Sequence, residues 1–225
     1  MEKSLESMNT KNNISPNYLS SIFSDKNDIS HDYFDKLSVR SDEEINQNNK
    51  KLISLSNKKL IKAAVLIPII FDNNKCDILL TYRSADLKDH ANQISFPGGR
   101  IDKNDTSPVH TAIRETYEEI GIDENYINII GSLDTYITGT GFQILPIISI
   151  IHKEYSIKIN AKEVNSIFKL PIDFLMDSNN HAVDKKLYNN GNISYNYNFN
   201  VINYKTHYIW GATASILLNL YERLK

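Results

Sequence analysis

One segment constrains this chain more than any other, because both ends of a helix are marked in the sequence. Ser107 is a good capping residue, and Pro108 fits the first turn of a helix, where a missing amide donor costs nothing. Gly121 is typical of the residue that follows the last helical turn. The sequence therefore predicts a helix over residues 108–120.

This predicted helix has an apolar side and an acidic side. At about 100° per residue, one face carries Val109, Ile113, Thr116 and Ile120, and the opposite face carries Glu115, Glu118 and Glu119. Like charges three and four residues apart, near the negative end of the helix dipole, each cost a few tenths of a kcal/mol to about 1 kcal/mol. Two kinds of positive partner can compensate: ion pairs from Arg114 and Lys103, or a hard divalent cation such as Mg²⁺ or Mn²⁺. Three carboxylates within one helix turn favour the cation.

A glycine pair stands shortly before the acidic helix. Gly98 and Gly99 follow Pro97, and they permit a sharp turn and a close approach of the backbone to a ligand. The Gly99 carbonyl and the helix carboxylates can therefore share one metal ion. Three cations lie nearby in the sequence, namely Arg83, Lys88 and Arg100.

The composition narrows the class of protein. The chain has 225 residues and a net charge of -2, so it lacks the basic footprint of a general nucleic-acid binder. Its longest apolar run, residues 63–71, is about half the length that crosses a membrane. The single cysteine, Cys76, cannot form an intramolecular disulfide, which favours a reducing compartment. We expect a cytoplasmic protein with neither a nucleic-acid nor a membrane partner.

The first 58 residues differ in composition from the rest. Asn, Ser, Lys and Asp dominate them, which predicts an extension that is partly disordered or forms one or two short helices. One such helix is predicted to begin after Ser41, over residues 42–45. The extension either packs loosely on the domain or helps a dimer to form, so a monomer and a homodimer both remain open.

Residues 59–225 have the pattern of one folded domain. Apolar runs predict a hairpin over 63–71 and 77–83, further strands over 94–96, 127–136, 142–151 and 167–170, and an aromatic-faced strand over 195–201 that follows a turn at 189–192. Residues 171–176 predict a short helical turn, and 208–224 predict a long amphipathic helix. Strands mixed with helices indicate an α/β or α+β single domain.

The acidic segment resembles the signature of a known family. Residues 114–122 read RETYEEIGI and resemble the second half of the box of the Nudix hydrolases, with Thr116 at an aliphatic position. The first half is one residue longer than the general box, and Asp105 stands near the usual Glu. With LLTYRS at 79–84 and FPGG at 96–99, this pattern resembles the coenzyme A pyrophosphatase branch, although Lys88 and Asn92 replace its usual Arg and Gly. The resemblance extends over residues 60–225.

This resemblance implies an α/β/α sandwich with a mixed β-sheet and the acidic helix at the site. The implied reaction is metal-dependent hydrolysis of the diphosphate of coenzyme A or an acyl-CoA, which gives 3′,5′-ADP and (acyl-)4′-phosphopantetheine. The implied cofactor is Mg²⁺ or Mn²⁺, and the partner is the small nucleotide substrate.

The resemblance also assigns roles to residues. Glu115 and Glu119 are expected to hold the metal, with Glu118 and the Gly99 carbonyl as further ligands. The box carboxylates of this family divide metal binding and water activation among themselves, and Glu163 is the candidate for a downstream base. Arg114 is expected to orient the acidic side chains. The candidates for binding the substrate phosphates are Arg83, Arg100 and Lys88.

Two alternatives accompany this interpretation. The first is hydrolysis of another nucleoside diphosphate derivative, such as ADP-ribose or a dinucleoside polyphosphate. Tyr136 lies fourteen residues after Ile122, a little short of the spacing of the tyrosine that marks dinucleoside polyphosphate hydrolases. The second is a non-catalytic module that binds a nucleotide. Such a module is expected to have lost box acids, whereas this chain retains Glu115, Glu118 and Glu119.

Overall fold

A mixed sheet forms the centre of the molecule in the computed structural model, which describes residues 14–23, 29–41, 60–73, 75–87, 90–189 and 194–225. Within these residues the strands of the sheet are β1 (Val39–Ser41), β2 (Ile61–Asp72), β3 (Lys75–Arg83), β4 (Ile94–Ser95), β5 (Gly98–Arg100), β6 (Ile127–Ser132), β7 (Thr135–Ile137), β8 (Phe142–Ile151) and β9 (Val164–Pro171). Strands β2 and β8 pair in parallel at its middle, and β1 pairs in parallel with β7. The remaining pairs are antiparallel.

A smaller antiparallel sheet and several helices complete the described structure. The smaller sheet has the order β10 (His181–Asn189), β11 (Ser194–Tyr204) and β12 (His207–Trp210). The α-helices are α1 (Pro16–Ile22), α2 (Tyr33–Lys36), α3 (Pro108–Ile120), α4 (Ile172–Leu175) and α5 (Gly211–Leu224), and short 3-10 helices span Glu124–Tyr126 and Ser178–Asn180. Among the described residues, no helix combines the length and the hydropathy that a membrane span requires.

Helix α3 has the bounds that the sequence predicts. The Ser107 hydroxyl accepts a hydrogen bond from the His110 amide at 3.1 Å, and Pro108 follows as the first helical residue. Gly121 ends the helix with φ of 71°, a left-handed conformation in which a side chain would be strained. Its amide donates to the Tyr117 carbonyl at 2.9 Å.

Helices cover both faces of the central sheet, which confirms the predicted α/β/α sandwich. On one face, Leu19 of α1 and Leu217 of α5 belong to the same buried cluster as Ile67 of β2. On the other face, Ala112 of α3 packs in a second buried cluster with Leu66 of β2. The alternation of side chains along β2 therefore divides the core into two layers.

The described parts of the N-terminal segment contribute to both layers of the core. Leu19 is 0% exposed and Phe34 is 1% exposed. The Phe34 carbonyl accepts a hydrogen bond from the Gln143 side chain at 3.1 Å, and the Ser38 carbonyl accepts one from the Thr135 amide at 3.1 Å. The helix predicted over residues 42–45 lies outside the described residues.

Two predicted elements are wrong in part. The strand predicted over 127–136 is two strands, because β6 ends at Ser132 and β7 begins at Thr135. The helix predicted over 208–224 begins only at Gly211, since the preceding residues form β12. Ile209 is 0% exposed and pairs with Ile202 of β11, so sheet pairing overrides the helical periodicity there.

The other predicted strands are confirmed with small shifts of their ends. Strands β2 and β3 form the predicted hairpin, and β8 has the predicted bounds of residues 142–151. Strand β10 was not predicted, because Asp184, Lys185 and Lys186 interrupt any apolar alternation. The turn predicted at 189–192 lies partly outside the described residues.

Candidate active site

Three carboxylates meet where α3, β5 and the start of β9 come together. One oxygen atom each of Glu115, Glu119 and Glu163 lies within 4.8 Å of the other two, and we call these residues the carboxylate cluster. Glu115 and Glu119 are four residues apart on α3, which places them on neighbouring turns of one side of the helix. Glu163 stands just before β9, and its carbonyl accepts a hydrogen bond from the Ser84 amide at 2.8 Å. Sequence reasoning selected all three residues, and the fold brings them together.

The helical pattern placed Glu119 on the acidic face, opposite the apolar one. In the structure, however, Glu119 is buried. Its side chain is 3% exposed, and the buried residues of α3 also include Ala112 and Thr116. The Thr116 hydroxyl donates to the Ala112 carbonyl at 2.6 Å, so this polar residue is accommodated in the buried face. The acidic and buried sides of α3 therefore overlap at Glu119.

Burial controls the electrostatics of Glu119. It raises the pKa of this carboxyl to about 8, and the neighbouring charges of Glu115 and Glu163 act in the same direction. The Arg83 guanidinium and a hydrogen bond from the Gly98 backbone oppose the rise. Arg83 Nη1 lies 3.7 Å from Glu119 Oε1, whereas Glu119 Oε2 is buried without a hydrogen-bond partner. A buried carboxylate oxygen without a partner is unfavourable unless a cation binds it.

The carboxylate cluster fits a hard divalent cation. Its donors are all carboxylate oxygens, which are the ligands that Mg²⁺ and Mn²⁺ prefer. The unpartnered Oε2 of Glu119 is an available ligand atom inside the site. Glu115 and Glu163 would supply further oxygens from two different elements of the fold.

The glycine pair serves close packing and does not form the predicted turn. Gly98 and Gly99 belong to β5, and Gly99 pairs with Ala64 of β2. A Cβ atom on Gly99 would collide with the carboxylate of Glu115, and one on Gly98 would collide with the Ala64 carbonyl. Residue 99 must therefore lack a side chain so that α3 can lie directly against β5, and residue 98 must lack one so that β5 can pair closely with β2. The role of the Gly99 carbonyl as a metal ligand stays a prediction.

Arg114 links the acidic residues of α3. Its Nη1 donates to Glu115 Oε1 at 2.9 Å and to Glu118 Oε2 at 3.0 Å, and its Nη2 reaches the Arg100 carbonyl at 3.5 Å. The side chain of Glu118 is 47% exposed, and Glu118 is not a member of the carboxylate cluster. Arg114 therefore lies where it can orient Glu115, whereas Glu118 faces solvent beside it.

Asp105 anchors Arg114 from the loop before α3. Its side chain is 1% exposed and accepts two bonds from Arg114, one from the Asp102 amide and one from the Thr111 hydroxyl. The hydrogen bonds from Arg114 hold the pKa of this carboxyl well below its usual range. The His31 ring nitrogen contacts the Asp105 carbonyl at 3.2 Å, so the N-terminal segment touches the same loop.

The predicted substrate-binding cations lie in different places. Arg83 is next to the carboxylate cluster, and its Nε is buried without a hydrogen-bond partner. The guanidinium of Arg100 lies 5.1 Å from the ring centre of Phe142. Since neighbouring residues of a strand point to opposite faces, Arg100 leaves β5 on the face away from Glu115. Lys88 lies outside the described residues.

Two residues near the site were not assigned a role from the sequence, namely Asn160 and Asp105. Asn160 donates from Nδ2 to Glu163 Oε1 at 2.9 Å, and its position in the sequence carries no signal of this contact. Asp105 was noted for its spacing, but its pairing with Arg114 nine residues away depends on how the loop folds back on α3.

Comparison with known proteins identifies relatives across the domain. The family described as the NUDIX domain matches residues 60–178. A protein of Citrobacter koseri named uncharacterized Nudix hydrolase NudL is 35% identical over 160 residues, which cover 71% of this chain and 80% of the relative. A relative of the same name from Pectobacterium atrosepticum is 34% identical over 167 residues, with the same coverage of both chains.

Solved structures match this chain at low similarity. A Caenorhabditis elegans Ap4A hydrolase has 20% sequence identity and a TM-score of 0.42, and the match covers 48% of this chain and 77% of that one. A MutT/nudix family protein from Enterococcus faecalis has 12% identity and a TM-score of 0.42, over 88% of this chain and 63% of that one.

Proposed function

Since the chain belongs to the Nudix hydrolase family, we propose that it hydrolyses the diphosphate of coenzyme A or of an acyl-CoA. The products would be 3′,5′-ADP and (acyl-)4′-phosphopantetheine. The carboxylate cluster supports the hydrolytic part of this proposal, because three carboxylates converge beside the arginine Arg83. The resemblance of residues 79–84 and 96–99 to the coenzyme A pyrophosphatase branch supports the substrate.

Glu115, Glu119 and Glu163 are proposed to hold the divalent cation, Mg²⁺ or Mn²⁺, which Nudix hydrolases require. Bound there, the ion would supply positive charge to the diphosphate oxygens. Phosphoryl chemistry needs little more from the protein than positioning and charge stabilisation. Arg114, which contacts Glu115 and Glu118, would hold the acidic side chains in the orientation that the reaction needs.

The protein's own residues would perform the remaining steps. A water molecule attacks one phosphorus atom, the bond from that atom to the bridging oxygen breaks, and the other phosphate leaves. Glu163 would hold the cation through one carboxylate oxygen and accept the proton of this water with the other, and Arg83 would stabilise the negative charge that develops on the phosphate oxygens. Arg100 and Lys88 remain candidates for contacts with phosphate groups further along the substrate.

We further propose the surroundings in which this reaction takes place. Residues 59–225 would form the catalytic domain, and residues 1–58 an extension whose described parts pack on it. The protein would act in the cytoplasm, as a monomer or homodimer, on a small nucleotide substrate. The single cysteine and the near-neutral charge support a reducing compartment and a partner other than nucleic acid.

The proposal is tested by turnover of several substrates in parallel. Coenzyme A, ADP-ribose and a diadenosine polyphosphate are incubated with the protein and with Mg²⁺ or Mn²⁺ at about 5 mM, a concentration suited to water-rich sites. The products are then separated and identified by mass spectrometry. Metal-dependent release of 3′,5′-ADP supports the proposal. Turnover of another substrate alone would reject coenzyme A, and no turnover of any would favour a non-catalytic module.

A further inference from the structure

We propose that Asn160 is a positioning residue that fixes Glu163 relative to Glu119 and thereby sets the metal affinity of the carboxylate cluster. The inference rests on the proposed function, because it assumes that this cluster binds a divalent cation. Asn160 is half-buried at the junction between the C-terminal end of α3 and the beginning of β9. Its contacts reach both Glu119 and Glu163.

The first contact orients the side chain of Glu163. Asn160 Nδ2 donates to Glu163 Oε1 at 2.9 Å. The Asn160 amide is uncharged, so it fixes the direction of the Glu163 carboxylate without neutralising its charge. An Arg or Lys donor would neutralise that charge. The hydrogen bond therefore places no positive charge beside Glu163 that would compete with a cation.

The second contact ties the same residue to the end of α3. The Asn160 backbone amide donates to the Glu119 carbonyl at 2.9 Å, and the Lys158 amide donates to the Ile120 carbonyl at 2.8 Å. The last carbonyls of a helix have no partners within the helix. Segment 158–160 satisfies two of them, and so it is fixed to the turn of α3 that carries Glu119.

The third set of contacts starts the next strand. The Asn160 carbonyl accepts hydrogen bonds from the Glu163 and Val164 amides, both at 2.9 Å. Its side-chain oxygen accepts one from the Lys162 amide at 3.3 Å. Both the backbone and the side chain of Asn160 therefore stabilise the turn between Asn160 and Glu163. Through Asn160, the backbone of one cluster residue is joined to the carboxylate of another.

The variant Asn160→Ala separates the side-chain contacts of Asn160 from its backbone contacts. It removes the Nδ2 donor to Glu163 and the acceptor for Lys162, whereas the backbone hydrogen bonds to α3 and β9 do not depend on the side chain. Loss of a partner that orients a metal ligand lowers metal affinity about 10- to 100-fold. We expect the affinity of the substrate-free protein for Mn²⁺, measured by electron paramagnetic resonance, to fall at least about tenfold.

A double-mutant cycle distinguishes positioning from a general structural role. Mn²⁺ affinity is measured for Asn160→Ala, Glu163→Gln and the double variant. If Asn160 acts through Glu163, Asn160→Ala weakens binding in the wild-type background but has little effect in the Glu163→Gln background. Asn179→Ala is the matched control, because Asn179 makes a similar local bond to Asp177 on the surface. This control is expected to bind Mn²⁺ like the wild type.

Two results for Asn160→Ala would overturn the inference. It fails if Asn160→Ala binds Mn²⁺ as tightly as the wild type while Glu163→Gln binds it more weakly. It also fails if Asn160→Ala weakens binding equally in both backgrounds. A wild-type protein that does not bind Mn²⁺ would instead remove the metal assignment on which the proposed function rests. If circular dichroism shows that Asn160→Ala is unfolded, Asn160→Asp replaces it. Asp has nearly the same shape as Asn but places a carboxylate against that of Glu163. Unchanged Mn²⁺ affinity in Asn160→Asp would therefore also reject the inference.

Discussion

Arg114 holds Asp105 through two parallel hydrogen bonds, from Nε to Oδ1 and from Nη2 to Oδ2, each 2.9 Å long. This two-pronged geometry fixes the plane of the guanidinium. The third nitrogen, Nη1, then lies between the carboxylates of Glu115 and Glu118. A buried acid in the loop before α3 therefore determines the orientation of the arginine that contacts the acids of the helix.

Replacement of Asp105 by Asn is expected to lower the free energy of unfolding by about 2 kcal/mol. The variant loses charge-assisted hydrogen bonds to Arg114 that are screened little by solvent, and such bonds contribute about 1.5 to 3 kcal/mol. Urea unfolding followed by circular dichroism measures the change. Asp102→Asn is the control, because Asp102 is exposed and its side chain keeps an acceptor for the Asn104 amide. A loss as large in the control would reject the assignment.

The contribution of Asp105 to stability is expected to disappear in acid. Its pKa is lower in the folded protein than in the unfolded chain, where it is about 3.9. The stabilisation is therefore complete above that value and is lost as the pH falls towards the folded-state pKa. The stability difference between the wild type and Asp105→Asn should be constant from about pH 7 to pH 5 and should shrink below about pH 4. Urea unfolding at a series of pH values measures it, and a constant difference down to about pH 2 would contradict the prediction.

Glu119→Gln and Glu118→Gln are expected to differ strongly in activity. Glu119 is buried in the carboxylate cluster, so its loss should reduce kcat/KM at least about 100-fold, the scale for one preorganised group in an active site. Glu118 is half exposed and contacts Arg114, so its loss should cost less than about tenfold. Steady-state kinetics on the substrate that is turned over measures both.

The fold should survive the loss of Glu119. Burial of this carboxylate is unfavourable, as its raised pKa indicates, and so the neutral amide of Glu119→Gln should leave the metal-free protein at least as stable as the wild type at neutral pH. Thermal unfolding checks this point. Unchanged activity in a folded Glu119→Gln protein would overturn the metal assignment.

Gly99→Ala is expected to reduce kcat/KM about 100-fold, because a displacement of about 1 Å in an active site has an effect of this size. The added Cβ collides with the Glu115 carboxylate and forces it away from the cluster. Gly211→Ala is the control, since no atom lies within 4 Å of the added Cβ and the change costs only the strain of its positive φ. Equal activities of these two variants would show that the contact with Glu115 does not matter.

Phe34→Ala is expected to destabilise the protein by about 3 to 5 kcal/mol, the usual cost of removing a buried aromatic side chain. Phe34 is 1% exposed and packs in the same buried cluster as Leu66 and Ala112. Val39→Ala is a control in the same N-terminal segment, because Val39 is 50% exposed, and it should change stability by less than about 0.5 kcal/mol. A small effect of Phe34→Ala in urea unfolding would mean that the segment packs loosely.

The elements predicted correctly are those whose signals are local. The caps of α3, the hairpin of β2 and β3, and the long apolar strand β8 each depend on neighbouring residues. Strands β10 and β12 were missed because their residues are mostly polar or have a helical period. Only pairing with β11 makes them strands.

The sequence by itself determined the acidic helix and the family, and it singled out Glu115 and Glu119 as metal ligands and Glu163 as a candidate base. Only the tertiary structure decided that Glu119 is buried, that Glu163 lies beside it and that Glu118 lies outside the cluster. The reason is that helical periodicity places residues around one axis, whereas burial depends on what packs against each side. At Glu119 one such neighbour is β5, because the Gly98 backbone forms a hydrogen bond with the Glu119 carboxylate and Gly99 lets the strand lie against Glu115 one turn away. Asn160 could be recognised only after α3 and β9 had been joined in space.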